Sequence, residues 1–148
     1  MDRIRENFTE SIQTKIAAAE VLSESIQTAA QMLAICLLNG NKILTCGNGA
    51  SAALAQLFVS HLMSRFETTR PSLPAIALTC DGNLMSSLSH YGKFEDVYAH
   101  QIRALGQQGD IMLVLAGNGR EKALLKAAEA ALSRDMTIIA LTGDDGGE

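Results

Sequence analysis

Residues 42–52, Lys42-Ile43-Leu44-Thr45-Cys46-Gly47-Asn48-Gly49-Ala50-Ser51-Ala52, decide the fold. Up to Cys46 the side chains form a short, nearly continuous apolar run, the pattern of a strand buried on both faces. Gly47-Asn48-Gly49 breaks it, and residues 51–66 take up helical spacing. Strand, glycine turn and helix in succession open a βαβ unit. Downstream the pattern repeats. Arg70-Pro71-Ser72-Leu73-Pro74 holds both prolines and reads as a loop, residues 75–79 as the second strand and Asp81-Gly82 as a turn. Helical stretches over 84–88 and 94–105 lead to Gly109-Asp110 and a third strand over 111–115. Ala116-Gly117-Asn118-Gly119 then turns the chain into a helix over 120–133, and residues 137–141 give a fourth strand. Apolar strands alternating with helices predict an α/β fold, a three-layer sandwich with a parallel sheet covered on both faces.

Outward from this core, Ile4, Phe8, Ile12, Ile16 and Ala19 recur at three- and four-residue spacing and predict an amphipathic helix. A second, more apolar helix is expected from about residue 23 to 38. It should be largely buried and end at Asn39-Gly40, a left-handed cap. The stripe Ile4/Phe8/Ile12/Ile16 is a candidate oligomer interface, although packing against its own domain would give the same pattern. After the fourth strand the chain runs Thr142-Gly143-Asp144-Asp145-Gly146-Gly147-Glu148 with no covering helix. Either the chain is truncated there or another subunit supplies the cover. A single domain over residues 1–148 is expected.

With 148 residues, 47% of them apolar, the chain can bury a core, which excludes disorder. Its 12 Lys and Arg against 16 Asp and Glu give a net charge of −4, which argues against direct binding to nucleic acid or anionic lipid. Protein or small-molecule partners are expected instead. Cys36, Cys46 and Cys80 stand singly, with no CxxC spacing, so a disulfide framework and a zinc ribbon are not indicated and a reducing cytoplasm fits. No apolar run approaches the roughly 18 residues of a membrane span, and the charged amino terminus is unlike a signal peptide.

In open parallel sheets, ligands bind beyond the carboxyl ends of the strands. The first such turn brings Asn48, Gly49 and Ser51 together in the form of a phosphate cradle, with Ser51 at the start of the helix. The same residues also fit a plain tight turn with Ser51 as N-cap. The string matches GxGxxA, but the acid expected about 20 residues on is missing and Asp81 lies too far along, which argues against a dinucleotide. No cofactor is expected. The second turn, over 116–121, nearly lacks hydroxyls, and its Arg120 and Glu121 read as a solvated first helical turn. His61 has no carboxylate or second histidine three or four residues away to orient it, His90 and His100 likewise read as packed or surface side chains, and no metal site is expected.

Taken together, Leu38-Asn39-Gly40-Asn41-Lys42-Ile43-Leu44, Cys46-Gly47-Asn48-Gly49, Ser51-Ala52-Ala53, Arg65-Phe66, Arg70 through Leu78, and Leu141 through Gly147 resemble a sugar isomerase (SIS) domain of the phosphoheptose isomerase group. The likeness runs over essentially the whole chain. It implies a homotetramer assembled through N-terminal helices, and a C-terminal strand and helix that this chain lacks. Isomerases of the group carry a metal-binding His and, four residues later, a Glu; Leu57 and His61 stand at those places. Ser89-His90 replace an Asn-Asp pair that contacts sugar, and Ala116-Gly117-Asn118-Gly119-Arg120-Glu121 replace a hydroxyl-rich phosphate loop. An aliphatic side chain can neither bind metal nor move a proton.

Phe8-Thr9-Glu10-Ser11-Ile12-Gln13-Thr14, Gln101-Ile102-Arg103-Ala104-Leu105-Gly106 and Arg134-Asp135-Met136-Thr137-Ile138 resemble the members of the group that associate with the replication initiator DnaA. That likeness implies a non-catalytic adaptor that binds DnaA and promotes its assembly at the chromosomal origin, with residues near the absent C-terminus taking part in the grip. In that reading Asn48, Gly49 and Ser51 are a vestigial sugar-phosphate site. The competing readings are a phosphoheptose isomerase with His61 or His90 as substitute base, and a sugar-phosphate sensor.

Overall fold

Neither glycine nor proline interrupts residues 2–38, and in the computed structural model the chain there forms one continuous helix, α1 (Asp2–Leu38). The expected helix pair is thus a single helix. Nothing between residues 19 and 23 breaks it, because the Ser23 hydroxyl turns back to the Ala19 carbonyl instead of capping a new helix. Thr28 does the same to Glu24 at 3.0 Å. The expected burial of its second half is also corrected: Cys36 is the one buried residue of α1, and Ile26 and Ile35 are exposed. Joining the two segments changes a further expectation. By length and composition, α1 is long and apolar enough to cross a membrane, since Glu24 is the one charged residue between Glu20 and the end of the helix.

Residues 2–143 and Gly146 are described; Asp144, Asp145, Gly147 and Glu148 of the closing motif lie outside the described residues. The chain divides into two compact units, Met1–Ala34 and Ile35–Glu148. Along the first, Ile4, Phe8, Ile12 and Ile16 are all more than half exposed.

The second unit begins with the end of α1. Gly40 takes φ of +79°, the Gly40 amide donates to Leu37 and the Asn41 amide to Cys36, both at 3.1 Å, which is the expected left-handed cap. Four parallel strands follow: β1 (Ile43–Gly47), β2 (Ala75–Ala77), β3 (Ile111–Ala116) and β4 (Thr137–Thr142), in the order β2-β1-β3-β4. β1 is buried throughout and lies between β2 and β3, Ile43 beside both Ala75 and Ile111. β2 stops two residues short of expectation because the Cys80 amide turns back to the Ala77 carbonyl.

Helix α2 (Ala50–Met63) packs on β1, β2 and β3. On the return path come α3 (Gly82–His90), a 3-10 turn at Phe94–Asp96, and α4 (Val97–Leu105); α5 (Lys122–Leu132) joins β3 to β4. The β1-to-β2 connection runs toward one edge of the sheet and the later ones toward the other. Right-handed crossovers therefore place α2 on one face and α3 to α5 on the opposite face. This is the expected three-layer α/β sandwich. Leu44, Met112, Tyr98, Ile102, Leu124 and Ala127 pack at the centre of its core. Among the described residues β4 pairs with β3 alone, and it is mostly exposed, as are Leu132 and Leu141.

Candidate functional site

The strand order places the topological switch point between β1 and β3, whose following connections leave in opposite directions. The crevice beyond their carboxyl ends is where such folds bind ligands. The first of its two walls is Gly47-Asn48-Gly49. Gly47 is buried between neighbours: a Cβ there would lie 2.8 Å from the Leu115 carbonyl oxygen and from the Ser51 backbone, so only glycine lets α2 start this close to β3. Gly49 is the N-cap of α2. Ser51 is therefore not the cap; it is the second residue of the helix, half-buried, with its amide donating to the Asn48 carbonyl at 3.0 Å.

Asn48, Gly49 and Ser51 thus come together where expected, but the Asn48 side chain is engaged. Its Nδ2 donates to Glu121 Oε2 across the crevice. The Tyr98 hydroxyl, rising from α4 and 1% exposed, donates to the Gly47 carbonyl at 2.7 Å and stands 2.9 Å from Asn48 Oδ1. Glu121 is the N-cap of α5 but makes no side-chain capping bond to that helix. The reading of Glu121 as a solvated helical turn is therefore corrected: it is half-buried and bridges the two strand-end turns.

Its charge is felt beneath. Burial, followed by the Glu121 carboxylate, pushes the Cys46 thiol up to about 12. The Tyr98 phenol is also pushed up to about 12, by burial, then Cys46, then Glu121. Both groups stay neutral at physiological pH and act as packing and donor groups rather than as nucleophile or base. Neither was singled out from the sequence. A buried tyrosine 50 residues from its partner Asn48 leaves no local signal.

The other candidates lie apart. Leu57 is 51% exposed on α2. One turn on, the half-buried His61 ring stands edge-on to Phe66 at 5.0 Å. Arg70 closes the end of this helix, donating to the His61 and Leu62 carbonyls, each at 2.7 Å, and so α2 stops at Met63 rather than at residue 66. His90 stacks edge-on with Tyr91 and His100 is exposed on α4. Among the described residues, no three His, Cys, Asp or Glu side chains converge to hold a metal ion.

Residues 7–143 match the SIS domain family. The chain is 56% identical over 147 residues to a phosphoheptose isomerase of Shewanella frigidimarina, covering 99% of this chain and 75% of that protein. It is 55% identical over 148 residues to the DnaA initiator-associating protein DiaA of Photorhabdus laumondii, covering 100% and 76%. A phosphoheptose isomerase structure from Francisella tularensis superposes with a TM-score of 0.95 at 44% identity, covering 99% of this chain and 76% of that one. Crossovers, glycine turns and relatives agree that this chain belongs to the SIS domain family, among the phosphoheptose isomerases and DiaA proteins.

Proposed function

We propose that this chain is a non-catalytic SIS-fold adaptor that binds the replication initiator DnaA and promotes its assembly at the chromosomal origin. Leu57 carries the reading. It stands, aliphatic and half-exposed, where the isomerase likeness expects a metal-binding histidine, and no carbon side chain can take that role. Around it, His61 packs against Phe66, and the hydroxyl-poor second turn offers Glu121 to Asn48 rather than donors to a phosphate. The 55% identity to a DiaA protein supports the choice of partner.

In this reading residues 1–148 act as one SIS domain, and adaptor function follows from assembly as a homotetramer. The exposed stripe Ile4, Phe8, Ile12 and Ile16 forms part of the subunit contact, because the helix alone leaves more than half of each of these residues exposed. The proposed location is the cytoplasm. Ser25, Gln27 and Gln31 distribute polar groups along the apolar half of α1 that water or a protein partner satisfies and lipid does not.

The second reading is a phosphoheptose isomerase or sugar-phosphate sensor, favoured by the 56% identity to the Shewanella isomerase. Size-exclusion chromatography with light scattering, on the chain alone and with DnaA, tests the first. A tetramer that co-elutes with DnaA is expected, and Phe8→Asp should reduce its size. A monomer that ignores DnaA overturns the adaptor reading. Turnover of sedoheptulose 7-phosphate establishes the isomerase, and saturable binding without turnover the sensor.

A further inference from the structure

We propose that Glu121 closes the switch-point crevice to anionic ligands, its own carboxylate occupying the space between the Asn48 amide and the start of α5. The inference deepens the adaptor reading and rests on it, since it treats the crevice as closed rather than as a working sugar-phosphate site. Strand-end turns and helix starts at a switch point favour negative charge through their backbone amides. In this chain that charge is internal. Glu121 occupies the N-cap position of α5, forgoes a capping bond to its own helix and reaches from the β3 turn to the β1 turn.

The partner it meets is fixed from below. The buried Tyr98 hydroxyl shares its one proton between the Gly47 carbonyl at 2.7 Å and Asn48 Oδ1 at 2.9 Å, which orients the Asn48 amide with its Nδ2 toward Glu121. An incoming phosphate meets two obstacles. It must take the Asn48 donor away from Glu121, and it must sit beside a carboxylate of like charge in a half-buried setting, where repulsion is screened less than in water. Burial raises the Cys46 thiol and the Tyr98 phenol, and the nearby Glu121 charge adds to both shifts. Phosphates and sugar phosphates are thereby rejected by a single side chain, on a backbone that retains Gly47, Gly49 and Ser51.

The test is isothermal titration of inorganic phosphate, at constant ionic strength, into the full chain and into its Glu121→Ser and Glu121→Gln variants. The unmodified chain should show no saturable uptake. Glu121→Ser should bind roughly tenfold tighter or better, and Glu121→Gln, which keeps the shape without the charge, should fall between. Adding Asn48→Ala to the serine variant should abolish the gain. Glu121→Gln guards against a serine variant that fails to fold, because its amide still accepts from Asn48. Equal affinity in the unmodified chain and the variants, or none in any of them, overturns the proposal. Co-elution of the same proteins with DnaA reads the adaptor function separately: its loss in the unmodified chain overturns that reading alone, and turnover of sedoheptulose 7-phosphate overturns both.

Discussion

Both ends of the β1–β3 pair are closed by polar side chains, yet the two closures differ in kind. At the amino end, Asp110 is fully buried and every donor around it points inward. It accepts from the Lys42 amide at 3.0 Å, the Lys42 ammonium at 2.6 Å, the Gln107 amide at 2.9 Å and Asn41 Nδ2 at 3.3 Å. At the carboxyl end, Glu121 and Asn48 are half-buried and meet across a crevice, with one buried hydroxyl beneath them. A carboxylate surrounded by four donors has nothing left to offer a ligand and serves the fold. One met by a single side-chain amide among the described residues leaves lone pairs and space, and in the proposal above it is what turns anions away.

The comparison breaks most severely at Asp110. Replacing it by alanine leaves Lys42 and two backbone amides without their acceptor and should cost about 3–5 kcal/mol in urea denaturation, the range for dismantling one side of a buried ion pair. Its titration is readable too. Burial is the strongest influence and raises the carboxyl's pKa, but the Lys42 bonds and those from Gln107 and Asn41 together hold it below the ordinary value. A lowered carboxyl stabilises fully above its unfolded pKa of about 4, and the contribution is lost as pH falls through the folded value below that. Urea midpoints should therefore drop below about pH 4 in the unmodified chain and drop less in Asp110→Asn.

At the other end the expected effects are smaller. Gly47→Ala puts a methyl 2.8 Å from two backbone groups that cannot turn aside and should cost about 1–3 kcal/mol by thermal or urea melting. Tyr98→Phe removes the donor to the Gly47 carbonyl and should cost about 1 kcal/mol. It should also loosen Asn48, read as faster amide exchange at residues 48–51. An Asp110 variant with wild-type stability, or a Tyr98 variant as damaged as Asp110→Ala, would erase the distinction between a structural end and a ligand end.

Much of the fold was legible because buried parallel strands need apolar runs. Ile43-Leu44, Ile111 through Leu115 and Thr137 through Leu141 declare themselves, and all three fall in strands as expected. The helix runs on past residue 20 because Ser23, a residue type common at caps, also satisfies its hydroxyl within a helix. The end of α2 was overrun because its stop signal, Arg70, lies seven residues beyond Met63 and acts through space. At the site, Asn48, Gly49 and Ser51 could be read because a glycine turn after a strand is a local pattern. Tyr98 and Glu121 could not, since their roles depend on which strands become neighbours.

The sequence by itself determined the α/β class and the first glycine turn as the place to look. Each is a matter of residue type and near spacing, which short-range sterics and solvation fix. Only the tertiary structure decided the order β2-β1-β3-β4, the single long α1, and the meeting of Asn48, Tyr98 and Glu121. Such contacts join residues 50 and 73 positions apart, and crossover handedness and packing, rather than any local preference, bring them into reach.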